Sequence, residues 1–92
     1  MATSTRVETD AIIPPGEVLK EELEARGLTQ KQLAARMSRP VQMVSELCRG
    51  KRELTPKTAL GLERVLGIAA HIWLGLETDY RLKLERHRLA GT

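Results

Sequence analysis

The stretch LTQKQLAARMSRPVQMVSELCRG, residues 28–50, carries two short apolar stripes with almost nothing between them. Leu33, Ala34 and Met37 stand at i, i+1 and i+4, one narrow helix face. Val44, Leu47 and Cys48 then stand at i, i+3 and i+4, the face of a second helix. Ser38 and Arg39 form the turn, and Pro40 is expected at the first position of the second helix, where its missing N–H leaves no bond unmade. Two short helices joined by a tight turn make a helix-turn-helix, and this constrains the chain more than any other feature.

The start of the first helix of the pair is written in its capping residues. Thr29 is an N-cap, Gln32 stands at the capping-box spacing, and Leu28 and Leu33 stand at the positions of a hydrophobic staple. Upstream, Pro14, Pro15 and Gly16 open a helical pattern that runs from Glu17. Its apolar stripe is Val18, Leu19, Leu23 and Ala25, with Lys20, Glu21, Glu22 and Glu24 outward and Gly27 as the stop. Downstream, Thr55, Pro56 and Gly67 punctuate a fourth helix whose stripe is Ala59, Leu62, Val65 and Leu66. AAHIWLGLETDYRLKLERHRL reads as a fifth, with Ile72, Trp73, Leu76 and Tyr80 on one face; Leu82, Leu84 and Leu89 follow less regularly. No segment alternates as a strand does. The expectation is an all-α fold of five helices: a flexible N-terminal arm over 1–13, a domain over 14–88 and a tail over 89–92.

Composition narrows the function. The 92 residues suit one domain with a small core, which a shared core in an oligomer would help. With one Trp, one Tyr and no Phe, aliphatic side chains must fill it. The net charge of +3 is unevenly spread: residues 1–46 carry six Lys/Arg against seven Asp/Glu, residues 47–92 nine against five. A lone Cys48 excludes an intrachain disulfide and fits a reducing cytoplasm; on the inward face it reads as a small core residue. No apolar run approaches the roughly 20 residues that span a bilayer, and MATSTRVETD has no secretory h-region, so no membrane partner is expected. His71 and His87 stand too far apart on a helix to share a metal, and there is no second Cys, no phosphate-cradling glycine loop and no Ser–His–Asp pattern. The expectation is therefore no enzyme, no metal and no cofactor.

What the second helix turns outward is informative. Gln42, Ser45, Glu46 and Arg49 oppose its apolar stripe, with Val41 at the edge. Base edges in the DNA major groove present donors, acceptors and thymine methyls. Gln42 carries the amide pair that matches adenine, Val41 can press on a thymine methyl, and Glu46 can accept from a cytosine amino group. A carboxylate near phosphates is repelled unless it has a base or cation partner, so Glu46 also reads as a structural residue. Arg39 precedes this helix and Arg49, Lys51 and Arg52 leave it, positions from which cations reach phosphates. Gln30 opens the preceding helix, where the dipole favours a phosphate contact.

LTQKQLAARM followed by VSELCRGKRELT resembles the XRE-type helix-turn-helix of lambdoid phage repressors. The wider pattern, IIPPGEVLKEELEARGLTQKQLA, GKRELTPKTALGLERVLG and IWLGLETDYRLKL, resembles the HigA/VapI-type antitoxins over roughly residues 12–85. The resemblance implies a lambda-repressor-like domain and a homodimer on a palindromic operator of double-stranded DNA. It implies repression of its own operon and neutralisation of a HigB-type toxin, a RelE-like mRNA endonuclease. It assigns base reading to Val41, Gln42, Ser45 and Glu46, a phosphate contact to Gln30, and the dimer interface to Trp73, Leu76 and Tyr80. The chain departs from the family pattern in two respects. Val41, Gln42 and Met43 stand where many members carry arginines, which implies a different operator, and Ser38 stands where the turn usually has glycine. The same residues also fit a stand-alone XRE repressor without a toxin, or a helix-turn-helix that binds only protein; a RelE-like reading frame just upstream discriminates the antitoxin.

Overall fold

A computed structural model describes residues 12–91. It contains five helices and, among the described residues, no strand: α1 Pro15–Arg26, α2 Gln30–Met37, α3 Val41–Cys48, α4 Pro56–Leu66 and α5 Ala70–Ala90. All but two of the residues expected to form the N-terminal arm lie outside the described range. The first helix begins two residues before Glu17, and α5 runs through to Ala90, past the expected boundary at 88.

Each junction has a local cause. Gly27 takes a left-handed φ of 67°, and Leu28 N–H closes back on the Leu23 carbonyl at 2.9 Å, which stops α1. The capping box of α2 is complete: Thr29 Oγ1 accepts from Gln32 N–H at 3.0 Å and Gln32 Oε1 accepts from Thr29 N–H at 2.9 Å. Ser38 ends α2 at φ 56°, the left-handed conformation that a glycine would take without strain. Pro40 stands one position earlier than expected: it is the N-cap of α3, extended at ψ 144°, and Val41 is the first helical residue. Thr55 caps α4 through Thr58 N–H, and Gly67 stops it at φ 79°. No side chain at Ala69 caps α5; instead Glu63 of α4 accepts from Ala70 N–H at 2.7 Å.

The helices pack as α1 on α3 and α5, α2 on α3 and α4, and α4 on α5. The core is Leu19, Leu23, Leu33, Ala34, Met37, Met43, Val44, Leu47, Cys48, Leu54, Ala59, Leu62, Leu66 and Trp73. Fully buried members such as Leu19, Leu33 and Leu62 each contribute about 1.5–3 kcal/mol. Ala25, expected on the inner stripe of α1, is exposed, and Val18 only half-buried. Trp73 is 0% exposed, and its indole N–H has no acceptor. The lost hydrogen bond costs about 1–3 kcal/mol, less than the roughly 4–6 kcal/mol that burying an indole contributes. On α5, Glu77 is buried with Trp73, and its carboxylate accepts from Arg81 Nε at 2.5 Å. From residue 85 to 90 every side chain is exposed.

Candidate nucleic-acid interface

The packing of α1 and α2 against it orients α3. Met43, Val44, Leu47 and Cys48 are all buried, which turns Val41, Gln42, Ser45, Glu46 and Arg49 away from the core. Val41 and Gln42 are exposed, Ser45 and Glu46 half-buried, Arg49 exposed. Met43 was not part of the stripe read from the sequence. It lies inside with its neighbour Val44, so of positions 41 to 43 only Val41 and Gln42 face outward.

The exit of α3 is a tight reversal. Gly50 takes φ 72° and Lys51 N–H bonds the Glu46 carbonyl at 2.8 Å. This swings Arg52 back along the helix, where its Nη2 reaches Glu46 Oε1 at 2.8 Å and its Nε donates to the same oxygen at 2.9 Å. The second oxygen, Oε2, accepts from the Gln42 amide nitrogen at 3.3 Å. The Arg52 hydrogen bond is the main reason the Glu46 carboxyl is held below its ordinary range; burial opposes it, and the charge of Arg52, the Gln42 amide and Arg49 add to it. The reach of six residues across a helix end is invisible to periodicity.

The remaining cations divide between the two ends of α3. Arg39, half-buried, sits at its start beside a cleft lined by Met37, Lys57, Leu60, Gly61 and Arg64; Arg49 and Lys51, both exposed, sit at its exit. No described carboxylate lies within ion-pair distance of Arg39, Arg49, Lys51, Lys57 or Arg64. Lys57, in the first turn of α4, and Arg64, in its last, share this cleft with Arg39 only through packing and were not singled out from the sequence. Gln30 is half-buried at the first position of α2.

A helix-turn-helix family model matches residues 19–73. Virulence-associated protein I of Dichelobacter nodosus is 40% identical over 73 residues, 78% of this chain and 68% of that protein. An addiction module antidote protein of the HigA family from Coxiella burnetii has the same fold at a TM-score of 0.82 and 32% identity, over 87% of this chain and 88% of its own. The chain belongs to the HigA/VapI-type helix-turn-helix family. A Pseudomonas aeruginosa protein in complex with its 18-bp operator DNA superposes at a TM-score of 0.78 and 26% identity, over 82% of each chain.

The three residues expected at a dimer interface all stand on α5. Leu76 is half-buried against the chain's own core, and Tyr80 is half-buried with the Arg81 guanidinium 5.1 Å over its ring. Trp73 has no surface to offer, because α1, α4 and the rest of the core already enclose it. The apolar side chains that α5 leaves exposed are Ile72, Leu82 and Leu89.

No helix among the described residues is long and apolar enough to cross a membrane.

Proposed function

We propose that this protein is the antitoxin of a HigBA-type toxin–antitoxin system: a homodimeric repressor that binds its own operator and neutralises a RelE-like toxin. It acts by binding, in the cytoplasm, with no reaction of its own. The observation that carries this reading is the outward face of α3, with Val41, Gln42 and Ser45 between cations at either end. An eight-residue helix is about 12 Å long, close to the width of the major groove, so Arg39 and Arg49 stand near its opposite phosphate walls. Gln42 reads an adenine edge and Val41 a thymine methyl; Arg39, Arg49, Lys51 and Gln30 take phosphates. The operator-bound relative and the antidote of an addiction module lend the same support from outside the chain.

Two copies would set their α3 helices in successive major grooves, one helical turn apart, on an inverted repeat. The α5 helix supplies the dimer contact through Leu76, Tyr80 and the exposed Ile72 and Leu82, with Trp73 anchoring it from behind. On α1, Glu21 and Glu24 are exposed and without ion pairs among the described residues, and this acidic face suits a basic toxin. The test is co-expression with the neighbouring reading frame, followed by pull-down, growth rescue and gel shift on the upstream DNA. Rescue together with a shifted inverted repeat is the expected result; a shift without rescue reduces the protein to a stand-alone repressor, and the absence of both overturns the proposal.

A further inference from the structure

The carboxylate of Glu46 is divided between two partners. Arg52 takes Oε1 through two nitrogens, and Gln42 gives an amide N–H to Oε2. A carboxylate can only accept, so it excludes the flipped amide in which the Gln42 oxygen would face Oε2. Held this way, Gln42 keeps its second N–H and its oxygen for a ligand, the donor–acceptor pair that an adenine edge takes. Arg52 in turn keeps Glu46 in place and offsets its charge, which would otherwise face phosphate unpaired.

We infer that Glu46 is a positioning residue for base recognition: it sets the amide of Gln42 for adenine, and Arg52 sets Glu46, so that specificity at one base pair runs through a three-residue relay. This rests on the reading of α3 as a recognition helix, and it replaces a direct contact from Glu46 to cytosine. The relay ties the base-reading side chain to the exit turn through Arg52, a cation that its ion pair with Glu46 holds back from phosphate. Sequence recognition therefore depends on a residue that touches no base.

Two measurements separate the contact from its purpose. In the DNA-free protein, NMR of the Gln42 side-chain amide should show two well-separated proton resonances that move toward those of a free amide in Glu46→Ala and in Arg52→Ala. Unchanged resonances in Glu46→Ala overturn the relay without reference to DNA. Binding is then measured for duplexes varied one base pair at a time, with Gln42→Ala, Glu46→Ala and the double variant, each checked for folding by Trp73 fluorescence. Wild type should prefer adenine at one pair by about 5- to 150-fold, the worth of a bidentate contact. Glu46→Ala should lose at least threefold of that preference at the same pair, while binding random duplex more tightly because a carboxylate is gone. The double variant should discriminate no less than Gln42→Ala alone, since both act on one contact. A lost preference at a neighbouring pair instead marks Glu46 as a direct reader and overturns the inference. An intact NMR signature with unchanged discrimination in Glu46→Ala overturns it as well. An intact signature in a protein that prefers no duplex overturns the recognition-helix reading and, with it, the purpose of the relay.

Discussion

Gly16 at the start of α1 lies directly against the carbonyl of Leu47 at the end of α3. A Cβ added at Gly16 would stand 2.0 Å from the Leu47 oxygen and 2.8 Å from that of Cys48, both backbone atoms that cannot swing aside. The glycine in the PPG opening is therefore a packing requirement: it lets α1 seat against the last turn of the helix that carries Gln42 and Glu46. Gly16→Ala should destabilise the fold by about 1–3 kcal/mol, the usual cost of overpacking. Urea unfolding followed by the fluorescence of Trp73, the only tryptophan, measures it.

The turn between α2 and α3 holds a second constraint, of opposite sign. Ser38 is the only described non-glycine residue with positive φ. Ser38→Gly should stabilise the protein by up to about 1 kcal/mol, because the left-handed conformation costs serine roughly that much and glycine nothing. A lower midpoint in urea for Ser38→Gly would show that glycine's extra freedom in the unfolded chain outweighs the strain.

Phosphate and base contacts should separate by salt. Gln42→Ala should weaken operator binding by about 1–3 kcal/mol and relax one base position. Lys51→Ala should weaken binding to every sequence and reduce the slope of log affinity against log salt by about one. Gel shifts at several salt concentrations compare them; matching behaviour of the two variants would refute the division of labour.

Acid should dissolve the contact between Glu46 and Arg52 late. Because the folded-state carboxyl titrates below its unfolded value, the interaction is fully present above the unfolded range and fades only as pH falls through the lowered folded value. Carbon-detected NMR titration should place the Glu46 midpoint below the ordinary glutamate range, and Arg52→Ala should move it back upward.

The thiol of Cys48 behaves in the opposite direction. Burial pushes it up; the charge of Lys20 opposes this and that of Glu17 adds to it. A raised folded-state value means its contribution is present below the unfolded thiol range and is lost as pH rises through the folded one. Alkylation at neutral pH should proceed only through opening of the fold, so added urea below the midpoint should accelerate it. A rate equal to that of a free thiol would place Cys48 at the surface.

Much of this was legible along the chain. The capping box at Thr29 and Gln32, the stops at Gly27 and Gly67, and the division of α3 into inward Val44, Leu47 and Cys48 and outward Gln42, Ser45 and Glu46 all follow from interactions within four residues. The misses share a cause. Ala25 and Met43 were sorted by a period that marks the middle of a face well and its edges poorly; a long side chain at the edge can turn in, as Met43 does. The apolar stripe of α5 marks Trp73 for burial, but whether it closes a core or a dimer depends on how α1 and α4 approach α5.

The sequence by itself determined five helices, the ends marked by Gly27, Thr29, Thr55 and Gly67, and the polar face offered by α3, because capping bonds and the 3.6-residue period are settled among near neighbours. Only the tertiary structure decided that Arg52 turns back onto Glu46, that Glu63 caps α5, that Arg39 lines one cleft with Lys57 and Arg64, and that Gly16 must have no side chain. Those contacts join residues whose separation along the chain says nothing of their distance in space, and they exist only once packing has fixed where each helix end lies.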